Sequence, residues 1–497
     1  MAPVKFHTVL SSLSLALALV LGACASNTDG PDTAGGDNNQ AGGSGNGSSN
    51  GTNNGSGNGT NVDPLAAAPT LRMTANEVVE SYRHIHYEFR QPAEHGVSRE
   101  LTVTQHVEVL IPPGADQDSP VFFLLDNEQD STVDGLMKTT ALLRFFGSKM
   151  IYVAAEHRGY GQSLSDSSDQ SVPTYVSHEQ AVEDAHAVIQ TLKKEYRGPW
   201  MSIGYSYGGA LVTELGARHP EDSDVFVASS APFLWTSGAD HYEGYVRERL
   251  GDETFKKAAA VMEMLQPTQM FSPKWENREF MEGVWLGLTQ YSWAQPYMGA
   301  VSVVLDKPLD EILSTSRTLD ESVAGGLATL YAKTRARLRV SREEALAEDY
   351  TWRVYHFQQC SDFGVFFTSP SHDGVFLRTL EEHEAECVQM FGEKNVLALD
   401  SGAVHWDLFD RIPSYQKANH PKLVYVRGGN DPWQVHGPDA PNWTPRVHHD
   451  KYDVYDTEWG VFVDVPNGFH MPDRDDTDVA LAMFVEAFRL GGFNSND

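Results

Sequence analysis

The stretch Met201-Ser202-Ile203-Gly204-Tyr205-Ser206-Tyr207-Gly208-Gly209-Ala210 decides the fold. An apolar run breaks on a Gly-x-Ser-x-Gly-Gly turn and leads into a segment rich in Ala, Leu and Val, the order of a strand, a sharp turn and a helix. A strand that reverses this sharply holds its turn residue in strained backbone geometry, so the residues two before and two after it must be small. Gly204 and Gly208 meet that need. Ser206 is then a candidate nucleophile, with its hydroxyl above the sheet edge. The amide of Tyr207, at the helix N-terminus, is a candidate oxyanion donor, because orphan N–H groups and the helix dipole favour negative charge there. A chance Gly-x-Ser-x-Gly in a glycine-rich chain is the bland alternative. The flanking strand and helix patterns and the second glycine argue against it.

Working outward, residues 200–203 read as the strand into the turn, 210–218 as the helix out and 225–228 as the next strand. Upstream, residues 101–111 alternate apolar and polar with period two and end on Pro112-Pro113-Gly114, as a half-buried strand does at a turn. Residues 121–125 and 150–155 are continuous apolar runs suited to strands covered on both faces, and 139–146 reads as a short helix between them. Ser177-His178-Glu179-Gln180 has the pattern of a capping box, in which Ser177 accepts the third amide and Gln180 reaches back. Val182, Ala185, Ile189 and Leu192 follow at helical spacing.

From 234 to 420 helical patterns dominate, at 254–265, 319–338 and 342–357, and no parallel-strand run recurs before Lys422-Leu-Val-Tyr-Val426. Helices inserted between two strands of an open sheet are expected to form a cap over the strands' C-terminal edge, where ligands bind. The chain then returns to a strand at 461–465, a loop at 466–473 and an amphipathic helix with Val479, Met483, Phe484 and Phe488 on one face, closed by Gly491. The expected class is α/β, an α/β-hydrolase fold with a mostly parallel sheet and a large helical cap. The division is 70–233 for its first part, 234–420 for the cap and 421–497 for its second part.

A hydrophobic fraction of 41% in 497 residues fits a globular protein. A formal charge of −31 repels nucleic-acid phosphates and anionic membranes, and no run of Lys and Arg offsets it, so nucleic-acid binding is excluded. At the N-terminus, Lys5 precedes an apolar run from Val9 to Leu21 that is too short to span a bilayer, and then Leu21-Gly22-Ala23-Cys24. Residues 1–24 resemble a bacterial lipoprotein signal, with Cys24 the lipidated residue and Ala25 in the place that directs such proteins to the outer membrane. A soluble form cleaved elsewhere is the alternative. Residues 25–69 are mostly Gly, Asn, Ser and Thr and are expected to form a disordered tether of about 35–40 Å r.m.s. span.

Apart from Cys24 the cysteines are Cys360 and Cys387. In an exported chain they are compatible with one disulfide, worth roughly 3 kcal/mol by chain entropy, or with two buried thiols. Neither has a neighbour at metal-ligand spacing, so no zinc site is expected.

A serine hydroxyl needs a base in hydrogen-bond reach, and the base needs a carboxylate to fix its tautomer. In this fold the chain order is Ser, acid, His. Asp431 follows the apolar run at 423–426 in Arg427-Gly-Gly-Asn-Asp431-Pro-Trp, and His470 follows 461–465 in Asn467-Gly-Phe-His470-Met-Pro-Asp473. Both come after Ser206 on loops leaving late strands. His436, His448 and His449 precede the last strand and read as surface or loop residues. For Asp431 the alternative is an Asx-turn residue before Pro432. Asp464 lies on the strand itself, and Asp473 is placed to cap the final helix.

Seven motifs occur in family order: Glu156-His-Arg-Gly-Tyr-Gly161-Gln-Ser163, Gly204-Tyr-Ser-Tyr-Gly-Gly209, Val227-Ala-Ser-Ser-Ala-Pro232, Gln359-Cys-Ser-Asp-Phe-Gly364, Cys387 with Phe391-Gly392, Asn430-Asp-Pro-Trp433 and Gly468-Phe-His470. Together they resemble the proline-specific serine exopeptidases that include lysosomal Pro-X carboxypeptidase and dipeptidyl peptidase II. The resemblance implies Ser206, Asp431 and His470 as a triad, a helical cap, a Cys360–Cys387 disulfide, peptide substrates cut after proline near an end, and no metal or organic cofactor. Phe123-Leu-Leu-Asp-Asn-Glu128 is similar to the family's Gly-Asn-Glu-Gly turn, which implies Asn127 as second oxyanion donor and Glu128 either as partner of a substrate amine or as a structural residue of the turn. Asp126 and Gln129 stand where the family has glycines. Trp433 is implied as a wall of a proline-sized pocket, with plain core packing as the alternative, and Asp362 as a further substrate contact. Bacterial tripeptidyl aminopeptidases share part of the pattern, including Tyr175 and Glu179-Gln180-Ala181. An esterase or lipase would use the same triad.

Overall fold

The computed structural model describes residues 70–79, 81–95, 98–125, 149–165, 171–237, 240–264, 285, 288–292, 350–368, 374–376, 378–400, 403–407, 422–433, 443–457 and 460–493. All fall within one unit, Pro64–Asp497. The expected signal segment with Cys24, the expected tether, the expected helices at 139–146 and 319–338, the start of the one at 342–357, and Asn127, Glu128 and His436 lie outside the described residues.

Three strands open the fold: β1 (Thr70–Val79), β2 (Tyr82–Glu94) and β3 (Ser98–Ile111). Then come β4 (Val121–Leu125), β5 (Ile151–Ala155), helix α1 (His178–Leu192), β6 (Trp200–Tyr205), α2 (Tyr207–Arg218) and β7 (Val225–Ser229). After an insertion the chain returns with β10 (Leu423–Gly428), β11 (Val447–His448), β12 (Asp453–Thr457), β13 (Gly460–Val465) and helices α7 (Pro472–Asp475) and α8 (Thr477–Gly491). Among the described residues the main sheet has 11 strands in the order β1-β2-β3-β5-β4-β6-β7-β10-β13-β12-β11. From β5 to β13 every pairing is parallel, while the wings β1–β2–β3–β5 and β13–β12–β11 pair antiparallel.

The parallel centre follows from composition. VFFLL, IYVAA and VFVAS are buried at every position because helices cover both faces. Phe123, Leu125 and Val153 point into one core with Val182, Ile189, Leu211 and Leu215 of α1 and α2. Their neighbours Phe122, Leu124, Met201 and Ile203 pack on the other face with Val479, Met483 and Phe484 of α8. Each such side chain contributes about 1.5–3 kcal/mol by leaving water.

Two local expectations need correction. Ser177 caps α1 by accepting from the Gln180 amide at 3.3 Å, but the Gln180 side chain does not reach back. Its Oε1 accepts the His95 amide at 2.6 Å, a half-buried donor just past the end of β2 that competes with the helix end for it. The residue that closes α8 is Gly492, just past its last residue Gly491, because Gly492 takes the left-handed conformation (φ 71°) that ends the last turn.

Between β7 and β10 lie β8 (Leu234–Thr236), α3 (Asp240–Leu250), α4 (Asp252–Met264), α5 (Tyr350–Gln358), a π turn (Gln359–Phe363), α6 (Leu380–Phe391) and β9 (Val404–Asp407). The strands β8 and β9 pair antiparallel as a separate two-stranded sheet, unexpected from a sequence read as helical from 234 onward. Strands of three and four residues carry too little periodicity to be seen in the sequence, and only their distant partner defines them. Cys360 in the π turn is bonded to Cys387 of α6, closing a separation of 27 residues.

Candidate active site

Ser206 sits between β6 and α2 with φ 51° and ψ −121°. A non-glycine residue in this region costs on the order of 1–3 kcal/mol, so the surroundings must enforce it. They do so by close approach: a Cβ on Gly204 would lie 2.0 Å from the Gly208 carbonyl oxygen, and one on Gly209 would lie 2.8 Å from the Ala231 Cβ. The Ser206 amide donates to the Ser229 carbonyl at 2.8 Å, tying the turn to the next strand.

His470 comes from the loop after β13. Its Nε2 lies 3.0 Å from Ser206 Oγ, and its Nδ1 lies 2.8 Å from Asp431 Oδ2. Asp431 comes from the loop after β10 and receives the Trp433 amide on its other oxygen, Oδ1, at 3.0 Å. The Asx-turn alternative for Asp431 and its pairing with His470 therefore coexist, one on each oxygen. Both side chains are 2% exposed. With a proton on Nδ1 facing the carboxylate, the Nε2 lone pair faces the serine hydroxyl.

The two loops are fastened together. The Asn430 amide donates to the Gly468 carbonyl at 2.7 Å, the Gly429 amide to Val465 at 2.8 Å, and the Asn430 side chain to Asn467 at 3.0 Å. The His470 amide donates to the Gln290 carbonyl of the insertion at 3.1 Å.

Ser229 and Ser230 are positioning residues that the sequence did not single out beyond their motif. Ser230 Oγ accepts the Met471 amide at 2.8 Å, and Ser229 Oγ donates to Asp473. Asp473 is thus not the cap of the final helix. Asp476 accepts the Asp478 amide there, and Asp473 is buried behind the histidine loop. Burial pushes the Asp473 carboxyl above its ordinary range, against the opposing pull of the Ser229 hydroxyl and Arg474.

Tyr207, the expected oxyanion donor, is the first residue of α2. Its ring packs 4.9 Å from Phe363 and 5.6 Å from His157, and its hydroxyl accepts from Gln358 Nε2 at 3.0 Å. Phe363 and Gln358 belong to the segment held by the disulfide, so the insertion is braced against the elbow. Trp433 lies edge-on to Tyr242 at 5.8 Å and to Phe367 at 5.6 Å, an aromatic wall beside Asp431. Asp362 accepts the His178 amide at 2.6 Å, at the first turn of α1. It serves the frame of the site by joining the π turn to a helix N-terminus. His448 is exposed on the edge strand β11, and Asp464 pairs with Arg427 at 2.9 Å.

Comparison with known proteins adds an independent line. The family model described as "Serine carboxypeptidase S28" matches residues 115–274. Lysosomal Pro-X carboxypeptidase of Mus musculus is 22% identical over 331 residues, 58% of this chain and 66% of its own. Prolyl tri/tetrapeptidyl aminopeptidase of Streptomyces mobaraensis is 26% identical over 170 residues, 34% of this chain and 33% of its own. The chain thus spans less than two thirds of the length of either relative. Among solved structures, proline iminopeptidase of Mycobacterium smegmatis aligns over 81% of this chain and 98% of its own, with 13% identity and a TM-score of 0.34. The family match and the two relatives support kinship with the proline-specific serine peptidases.

Proposed function

We propose, from that kinship, that this chain is an exported serine exopeptidase that hydrolyses peptides after proline through Ser206, His470 and Asp431. One observation carries the reading: three side chains from three separate loops meet at hydrogen-bond distance, with the serine on a strained turn.

Ser206 Oγ attacks the substrate carbonyl while His470 Nε2 takes its proton. Asp431 holds the Nδ1 proton and stabilises the imidazolium that forms. The tetrahedral oxyanion is received by the Tyr207 amide at the start of α2, where the helix end already favours negative charge, and by Asn127 as the second donor. His470 then returns the proton to the leaving amine, and water repeats the sequence on the acyl-enzyme. Trp433 supplies an apolar wall suited to a proline ring, which has no N–H to satisfy, and Glu128 is assigned to a substrate α-amine. The division is that of a hydrolase core at 70–233 and 421–497 with a cap at 234–420. The chain is held to the cell envelope through Cys24 and the tether. Among the described residues, no helix is long and apolar enough to cross a membrane.

The two relatives' names divide between the carboxyl and amino ends of a peptide, so the end trimmed is the open choice within this reading. Ser206→Ala is expected to abolish labelling by a fluorophosphonate probe, and a mass-spectrometric digest of a mixed peptide library is expected to show cuts following proline. Undiminished labelling removes Ser206 as nucleophile. Turnover of p-nitrophenyl esters with every proline peptide left intact sinks the peptidase assignment in favour of an esterase.

A further inference from the structure

The expectation of no zinc site rests on the cysteines alone. The histidines carry a different signal. Strand β2 reads His84-Ile-His86 and strand β3 reads His106-Val-Glu108, so period two places all four polar side chains on one face of the antiparallel wing. That face also carries Leu110, which packs into the core shared with α8. The register sets His86 directly opposite Glu108. Glu108 is only 5% exposed, yet three imidazoles converge on it. His106 Nε2 lies 3.2 Å and His86 Nδ1 3.5 Å from Oε1, while His84 Nε2 lies 3.3 Å from Oε2.

These separations have a geometric meaning. A tetrahedral ion with bonds of about 2.0–2.1 Å holds its ligand atoms about 3.3–3.4 Å apart. Both His86 and His106 already stand at that spacing from one carboxylate oxygen, and the three ligand atoms lie within 4.8 Å of one another. Two strands joined in a regular ladder keep them there without any loop rearrangement. Imidazole with carboxylate suits borderline divalent ions such as Zn2+ and disfavours Ca2+ and Mg2+, which take oxygen.

We propose that His86, His106 and Glu108 bind one divalent cation of the Zn2+ class and clamp β2 to β3, with His84 held against the second carboxylate oxygen. The site is structural and separate from Ser206: β3 stands three strands from β6 in the sheet order, roughly 14 Å by strand spacing. Glu77, His84 and His86 form an overlapping group on the same wing, whereas His186, His219 and Glu221 lie apart from it, on α1 and beyond the end of α2, and provide the control.

The test uses the full chain without an affinity tag, stripped with EDTA and titrated with CoCl2, then ZnCl2. One equivalent of Co2+ is expected to give visible d–d absorption that one equivalent of Zn2+ abolishes. Replacing either His86→Ala or His106→Ala should weaken binding by about 100-fold or more, as loss of a direct ligand exceeds the 10–100-fold effect of outer partners. His219→Ala should leave binding unchanged. Far-UV circular dichroism verifies that each variant is folded. No d–d absorption and no Zn2+ uptake overturns the proposal, and so does binding that survives His86→Ala together with His106→Ala.

Discussion

Asp431→Asn tests the proposed chemistry most sharply, because the structure dictates how the new amide must sit. Asp431 Oδ1 accepts the Trp433 amide, and Oδ2 faces His470 Nδ1. In the variant, the Asn carbonyl is required on the Trp433 side, where a hydrogen-bond donor already points. The flipped orientation would set N–H against N–H at a site 2% exposed, at about 1–3 kcal/mol. The Asn NH2 therefore faces His470 and donates to Nδ1. That moves the imidazole proton to Nε2, which then faces Ser206 Oγ as a donor and can no longer accept its proton. The imidazolium also loses its countercharge. In Ser-His-Asp enzymes these effects together amount to about 10⁴-fold, which is ~5.5 kcal/mol on the barrier. The assay is kcat/KM on chromogenic Xaa-Pro amides at pH 7–8, alongside the rate of fluorophosphonate labelling. We expect kcat to fall by about 10⁴ with KM nearly unchanged, because the substrate does not touch Asp431 in the proposed arrangement. A loss smaller than about tenfold, or ~1.4 kcal/mol, would refute the claim that Asp431 fixes the tautomer.

Three further outcomes follow from the same structure. Gly204→Ala puts a Cβ 2.0 Å from the Gly208 carbonyl oxygen, a backbone atom that no rotamer change can move aside, so we expect a loss of about 3 kcal/mol or more in urea unfolding together with loss of probe labelling. His383 is buried against Phe366 at a ring distance of 4.6 Å, and burial first, then Arg378, holds its imidazole well below the ordinary histidine range. Its folded pKa lies under the unfolded value, so its contribution to stability is present above about pH 6.5 and is lost as pH falls, at up to ~1.4 kcal/mol per pH unit until the folded group titrates. His383→Gln should flatten the stability profile between pH 6.5 and the acid limb, as read by thermal melts, and an unchanged slope would assign that slope elsewhere. Cys360→Ser releases the loop closed to Cys387 and should lower unfolding free energy by about 3 kcal/mol, with a smaller effect if the unfolded chain keeps residual structure.

The sequence alone determined the elbow, the parallel centre of the sheet and the identities of Ser206, Asp431 and His470 as candidates. The reason is physical: a strained turn admits only small residues around it, and doubly covered strands must be apolar throughout, so both leave a local trace. The antiparallel wing around β1 and β2 left a weaker one, because a strand as exposed as β1 carries little apolar periodicity. Asp473 looked like a helix cap beside a helix start. Whether a carboxylate turns outward to an amide or inward to Ser229 depends on a strand more than two hundred positions away.

Tertiary structure decided what no local pattern could: that Asp431 serves a turn and a histidine at once, that Ser229 and Ser230 fasten the histidine loop, and that Asp362 joins the insertion to α1. It also decided that His84, His86 and His106 gather on one carboxylate, since register between strands fixes which alternate residues face each other. Short-range sterics and burial are written residue by residue, whereas convergence of distant side chains depends on how the whole sheet closes.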